Sequence, residues 1–286
     1  MPAIMPIAMA TGVAGLGPLL LCIAFVAIIW FLLRRGKRAP PTDAPMVLVI
    51  NLDKNEQRLQ RFMENYEDGD FSQLALHRLP AIDGSDVDWS KFLSPEALEA
   101  LLTVQKTGFR KTHPELTPGA VGCYLSHMQA WRTIADSGRP FGIVFEDDAA
   151  IPPDALLQLY TALKSAPPDW DIVLLGYAGY GQLVSPVLTE LHSFLLLHAY
   201  AISAHAARVL ADSMLPITRQ VDWELSDRIK TRGLKVFGLN PSLVKQDWQG
   251  TDIQIPLQAK SQSQTQSRTP VDLKVNHPLQ NAIVAP

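Results

Sequence analysis

Phe141-Gly142-Ile143-Val144-Phe145-Glu146-Asp147-Asp148 passes directly from an unbroken apolar run to three consecutive carboxylates. An apolar run of this length with no polar interruption reads as a strand buried on both faces, as in a sheet covered by helices on either side. Met46-Val47-Leu48-Val49-Ile50 and Ile172-Val173-Leu174-Leu175 have the same character. Working outward, strand patterns fall at 46–51, 74–79, 141–146, 171–175, 193–203 and 234–239. Helical patterns lie between and after them, near 54–66, 94–103, 119–137, 153–165, 205–214 and 222–232. The helix near Gly119 has Thr117 as its N-cap and Pro118 in its first turn. This alternation predicts an α/β fold around a parallel or mixed sheet.

Before the first strand the chain changes character. Val13 to Leu33 contains no charged residue, and about 20 residues rising about 1.5 Å each cross a bilayer core. The segment is expected to be one transmembrane helix. A cleaved signal peptide would place positive charge ahead of a shorter apolar core. Here residues 1–12 are uncharged and the basic cluster Arg34, Arg35, Lys37, Arg38 follows the run. Basic flanks stay cytosolic, which predicts a cytosolic catalytic domain; an ER or Golgi lumenal domain is the alternative orientation. No glycosylation acceptor argues otherwise, since Asn240-Pro241-Ser242 is disqualified by its proline. Residues 34–45 form a basic, proline-rich linker, 46–258 a catalytic domain, and 259–286 a Ser/Gln-rich tail expected to be disordered.

The bulk numbers exclude several classes. A net charge of −3 offers no polyanion-binding surface, so nucleic acid is not an expected partner. Two cysteines, one of them Cys22 inside the apolar segment, make neither a disulfide framework nor a cysteine zinc site.

Ligands in open α/β sheets bind beyond the carboxyl ends of the strands. Two segments put polar groups there: Asn51-Leu52-Asp53 with Arg58 after the first strand, and Glu146-Asp147-Asp148. Like charges about 4 Å apart repel by about 1 kcal/mol in water and about 4 kcal/mol at an effective dielectric near 20. If strand geometry continues, 146 and 148 point the same way, and the crowding calls for a bound cation or a protonated carboxyl. Mn²⁺ or Mg²⁺ bridging a nucleotide diphosphate would satisfy it. The alternative is a solvated acidic turn capping the helix that starts near Pro153.

Taken together, VINLDKNEQRLQRF, RLPAIDGSD, LTPGAVGCYLSHMQAW, GIVFEDDA, HAYAISAHAARVL, VDWEL and NPSLVKQ resemble glycosyltransferase family 25 in order and spacing, across about residues 46–253. That resemblance implies a GT-A-like fold, a UDP-sugar donor with galactose as the sugar, and Mn²⁺ or Mg²⁺. It also implies a glycan, lipid-linked saccharide or protein acceptor at a membrane surface. Glu146-Asp147-Asp148 looks like the family's Asp-X-Asp motif. On that reading Asp148 holds metal, with Glu146 and His198 as further candidate ligands, and Glu146 or Asp147 contacts ribose or a metal-bound water. Asn51, Asp53 and Arg58 would surround the nucleotide, Arg58 near the diphosphate.

An inverting transferase needs a carboxylate to take the acceptor proton. Asp222 and Glu224 in VDWEL are the candidates, Asp222 the preferred one; the other reading is an acidic pair favoured by a helix N-terminus. His127 shares a four-residue stripe with Cys123 and Trp131, and reads as a buried structural histidine or a substrate contact. Gly119 and Gly122 read as close-approach positions, beside the nucleotide or between packed elements. Relatives often carry an acidic residue after Gly119 where this chain has Ala120. A metal-dependent phosphohydrolase and a catalytically degenerate membrane-bound scaffold are the competing functions. The former lacks the additional His/Asp clusters of a two-metal centre.

Overall fold

A computed structural model describes residues 44–247. The expected transmembrane segment Val13–Leu33, nearly all of the linker and the 259–286 tail lie outside them. Among the described residues no helix is long and apolar enough to cross a membrane.

The chain runs β1 (Met46–Asn51), α1 (Glu56–Asp68), β2 (Leu76–Pro80), α2 (Pro95–Thr107), α3 (Pro118–Asp136), β3 (Phe141–Glu146) and β4 (Ala149–Ala150). It continues through α4 (Ala155–Ser165), β5 (Ile172–Leu174), β6 (Ala178–Ser185), β7 (Leu188–Leu195), β8 (Ala199–Ser203) and α5 (Ala204–Ser213). It closes with α6 (Val221–Arg232), β9 (Val236–Leu239) and β10 (Lys245–Gln246). Eight strands make one mixed sheet in the order β2-β1-β3-β8-β5-β9-β7-β6. β1 is parallel to β2 and β3, and β5 is parallel to β9, while β8 runs antiparallel between β3 and β5. The expected α/β fold with a mixed sheet is present.

Side chains alternate across a strand, and the apolar strands therefore feed two cores. Leu48, Ile50, Val144, Tyr200 and Ile202 pack with Leu101, Trp131, Leu210 and Leu225 of α2, α3, α5 and α6. Val47, Val49, Ile143, Phe145 and Ala201 pack with Phe62, Tyr66, Leu156 and Leu159 of α1 and α4. A sheet clothed on both sides is what the uninterrupted apolar runs required.

The helix starts follow local chemistry. Thr117 accepts from Ala120 N at 3.0 Å with Pro118 in the first turn of α3, as expected. Ser94 caps α2 in the same way. α4 is capped from elsewhere in the chain: both Asp70 carboxylate oxygens accept, from Leu156 N at 2.9 Å and Leu157 N at 2.8 Å. The acidic triplet is therefore not that helix's cap.

Two expectations about strands are corrected. The 193–203 segment is not one strand. β7 ends at Leu195, Leu196 has φ 73°, and β8 starts at Ala199 in another part of the sheet. The β6–β7 hairpin was not expected, because edge strand β6 is mostly exposed and has no clean alternation. The strand after Phe145 also stops sooner than the same-side argument assumed. β3 ends at Glu146, and Asp147–Asp148 form a turn before β4.

One packing contact sets the geometry of the site. Helix α3 touches the 82–84 loop backbone to backbone: a Cβ on Gly122 would lie 2.3 Å from Ile82 O and 2.6 Å from Gly84 N. Ser126 fastens the same contact, accepting from Ile82 N at 2.8 Å and donating to Gly122 O at 2.7 Å. Gly122→Ala is expected to destabilise the protein by about 1–3 kcal/mol through overpacking, read as a lower melting temperature. A variant melting like wild type would show that the loop can back away from the helix.

Candidate metal and nucleotide site

The carboxyl ends of β1 and β3 lie side by side, because Ile50 pairs with Glu146. A cleft opens there between the 50–58 segment, the 81–85 loop, the first turns of α3 and the acidic triplet, with Gln246 at its border. Asn51, Arg58, His127, Glu146, Asp147 and Asp148, all expected at the site, share this one cleft.

The three carboxylates fan apart. Glu146 turns toward α3, where His127 Nε2 lies 3.1 Å from its Oε1. Asp147 accepts from Asn51 Nδ2 at 2.7 Å and pairs with Arg58 Nη2 at 2.5 Å. Asp148 pairs with the same Arg58 nitrogen at 2.9 Å and accepts from Gln246 Nε2 at 3.1 Å. One guanidinium thus faces two carboxylates, with a third behind them.

The electrostatics record the shortage of positive charge. Burial, then Glu146 and also Asp147, push the Asp148 carboxyl up to about 7, against the opposing pull of Arg58 and Gln246. Burial would also raise Glu146, but the hydrogen bond from His127, with the charge of Arg58 nearby, outweighs it and holds that carboxyl below its ordinary value. Asp148 Oδ1 is buried with no hydrogen-bond partner. A buried carboxylate oxygen without a donor is a costly acceptor, and a hard divalent cation is the ligand that acceptor suits. The residues present fit a Mn²⁺ or Mg²⁺ site centred on Asp148.

Positions around the cleft are fixed by neighbours. Arg78 Nε donates to Asn51 Oδ1 at 2.9 Å, which orients the Asn51 amide toward Asp147. Trp131 Nε1 donates to Tyr200 OH at 2.8 Å, and that hydroxyl lies 2.9 Å from His127 Nδ1. The Tyr200 proton is then free to go to Nδ1, leaving His127 Nε2–H to donate to Glu146. His127 is buried as one reading expected, but its partners are side chains, not backbone. The ligand atoms of Cys123, His127 and Glu146 lie within 4.8 Å of one another. Of these, His127 and Glu146 are hydrogen-bonded to each other, so Nε2 is committed to Glu146 and does not face a thiolate metal site. Burial, followed by Glu146, Asp222 and Asp148, keeps the Cys123 thiol well above its ordinary value.

Other expected residues stand elsewhere. Asp53 is exposed, paired with Arg78, and does not line the cleft. Gly122 lies behind the wall as a packing contact and does not line the cleft, because the space a Cβ would take is filled by backbone. His198 is buried with Nε2 3.0 Å from the Val244 carbonyl, so that nitrogen carries its proton; His198 does not line the cleft but is within electrostatic reach of Glu146. Glu224 faces Thr218, Arg219 and Arg228 in a surface network.

Asp222 differs from Glu224. Its Oδ2 accepts from Leu196 N at 3.0 Å and its Oδ1 from Trp223 N at 2.8 Å, and burial raises its carboxyl in spite of both bonds. It does not line the cleft, yet it is within electrostatic reach of Glu146 and Cys123. Arg78, Tyr200, the Lys54–Asp83 pair at the rim (2.7 Å) and Gln246 lie in the motif segments quoted above but had no role assigned to them, since each acts through a partner distant in the chain.

Known proteins match this chain across most of the segments that line the cleft. The profile of Glycosyltransferase family 25 (LPS biosynthesis protein) matches residues 44–178, which include β1, α3 and the acidic triplet. Procollagen galactosyltransferase 2 of Mus musculus is 25% identical over 225 residues, covering 69% of this chain and 34% of that protein. Procollagen galactosyltransferase 1 of Danio rerio is 30% identical over 136 residues, 46% of this chain and 21% of that protein. The probable inactive glycosyltransferase 25 family member 3 of Bos taurus is 26% identical over 235 residues, 73% of this chain and 38% of that protein. The chain spans between a fifth and two fifths of the length of these relatives.

A metal ligand must lose its proton. With the Asp148 carboxyl raised to about 7, protons would compete with a bound cation below that pH. Mn²⁺ affinity, measured by titration at fixed ionic strength, is expected to rise about tenfold per pH unit below about 7 and to level off above it. A flat profile from pH 5.5 to 8 would show that Asp148 is not the titrating ligand.

Proposed function

From membership of this chain in glycosyltransferase family 25, we propose that it is a metal-dependent hexosyltransferase moving a sugar, galactose first among the candidates, from a UDP-sugar to a hydroxyl acceptor. The observation that carries the reading is the buried, unpartnered Asp148 Oδ1 inside a carboxylate cluster at the strand ends of a mixed α/β sheet. That sheet and site position fit a GT-A-like arrangement.

In this reading Asp148 holds a Mn²⁺ or Mg²⁺ ion that, when bound, neutralises the leaving diphosphate. Asn51, oriented by Arg78, and Asp147 receive the nucleotide. Arg58 and Lys54 supply the positive side chains lining the same cleft. His127 holds Glu146 as an anion facing the donor. The acceptor oxygen forms the new bond to the anomeric carbon as the bond to the diphosphate breaks, and UDP leaves. Asp222 takes the acceptor proton. Its raised carboxyl makes it the stronger base, and Glu224 is engaged by two arginines and a threonine. The acceptor is a glycan, lipid-linked saccharide or protein. Val13–Leu33 would anchor the domain to a membrane, on its cytosolic side by the basic cluster that follows it.

The test is UDP release from UDP-galactose, UDP-glucose and UDP-N-acetylglucosamine with and without Mn²⁺. Release is expected to need the metal and to fall by at least about 100-fold in Asp148→Asn. Asp222→Asn is expected to lower turnover by about 100-fold or more with little change in donor affinity, whereas Glu224→Gln stays near wild type. Metal-independent release, or full activity in Asp148→Asn, would refute the proposed site. Equal losses at 222 and 224 would refute the choice of base.

A further inference from the structure

The last described strand brings a side chain from far along the chain to the acidic turn. β10 pairs antiparallel with β4, placing Gln246 opposite Ala149, and Asp247 N donates to Asp148 O at 2.8 Å. The backbone on both sides of Gln246 is therefore tied to the residues that follow the triplet.

The Gln246 side chain is oriented by what it touches. Its Nε2 donates to Asp148 Oδ2 at 3.1 Å. Turning the amide over would set its carbonyl oxygen against an ionised carboxylate oxygen, acceptor against acceptor, so the ionised Asp148 favours this orientation. That leaves Gln246 Oε1 buried with no partner, beside Asp148, whose Oδ1 is also buried with no partner. Asp148 as a side chain is only 10% exposed. Two contacting side chains thus each keep one bare acceptor, and what both lack is a donor or a cation. An amide oxygen is a hard, neutral ligand. It can complete a coordination shell without adding charge to a cluster in which two carboxylates already share one guanidinium and a third lies behind them.

We propose that Gln246 is a ligand of the same divalent cation as Asp148, delivered by the β10–β4 pairing. This rests on the reading of Asp148 as the metal-holding residue. It goes beyond that reading by making the C-terminal segment part of the metal centre, so that cation binding and the seating of β10 are linked.

The test is Mn²⁺ binding to the full chain without nucleotide, followed by loss of the free-ion electron paramagnetic resonance signal. Gln246→Leu is expected to bind about 10- to 100-fold more weakly than wild type and to show a smaller metal-induced rise in melting temperature. Gln246→Glu, which keeps an oxygen at this position, is expected to bind at least as tightly as wild type above pH 7. Melting of the metal-free variants checks folding, and the glutamate variant keeps the test informative should the leucine variant not fold. Asp148→Asn separates the two claims. If wild type binds Mn²⁺, Asp148→Asn does not and Gln246→Leu equals wild type, this inference alone is overturned. Equal weakening in the leucine and glutamate variants overturns it too, because the amide N–H contact to Asp148 would then be what matters. If wild type binds no Mn²⁺, the proposed metal centre falls and this inference with it.

Discussion

Three carboxylates meet at the end of β3 with one arginine inside their cleft to balance two of them, and the arrangement of the surrounding residues answers that imbalance. Arg58 spans Asp147 and Asp148, and His127 takes Glu146 aside. Even so, Asp148 is left with a carboxyl pushed up to about 7 and an oxygen without a donor. A cluster of this kind is costly, because each buried carboxylate oxygen gives up its hydration, and a bound cation would offset that cost.

The frame around the cluster is rigid where it has to be. β1 and β3 are parallel neighbours, so Asn51 and the acidic turn emerge at the same level. α3 lies against the 82–84 loop with no room for a side chain at Gly122, which fixes His127 and Cys123 relative to the cleft wall. The chain of contacts Trp131–Tyr200–His127–Glu146 runs from the core to the cleft and sets the imidazole tautomer on the way. Asp222 is held differently, by backbone amides including that of Leu196, a non-glycine residue at φ 73°. Such backbone conformations persist only where their surroundings enforce them, and here the enforcing group is the candidate base itself.

The curated relatives include proteins named as galactosyltransferases and proteins named as inactive, and this chain matches each over part of their length. What separates an active site from a decayed one is chemical: an acceptor oxygen for the metal, a cation for the diphosphate and a carboxylate able to take a proton. The cleft holds Asp148 and Arg58, with Asp222 in electrostatic reach of Glu146, and the C-terminal strand adds Gln246 beside Asp148.

Much of the fold was readable from the sequence. Continuous apolar runs such as Ile143-Val144-Phe145 can be satisfied only between two helical layers, and Thr117-Pro118 starts a helix by satisfying its first amides locally. The acidic triplet was readable too, because clustered charge after an apolar strand is expensive wherever the chain puts it. Local pattern failed where neighbours decide. The 193–203 run breaks at Leu196 because β7 and β8 belong to different parts of the sheet, and β6 is an exposed edge with no alternation to read. Tertiary structure alone decided that Glu146 faces His127, that Asp53 and His198 do not line the cleft, that Asp70 caps α4, and that Gln246 reaches the acidic turn. The reason is physical. Periodicity and charge density are properties of a segment, whereas a hydrogen-bond partner or a ligand shell is a property of where two distant segments meet.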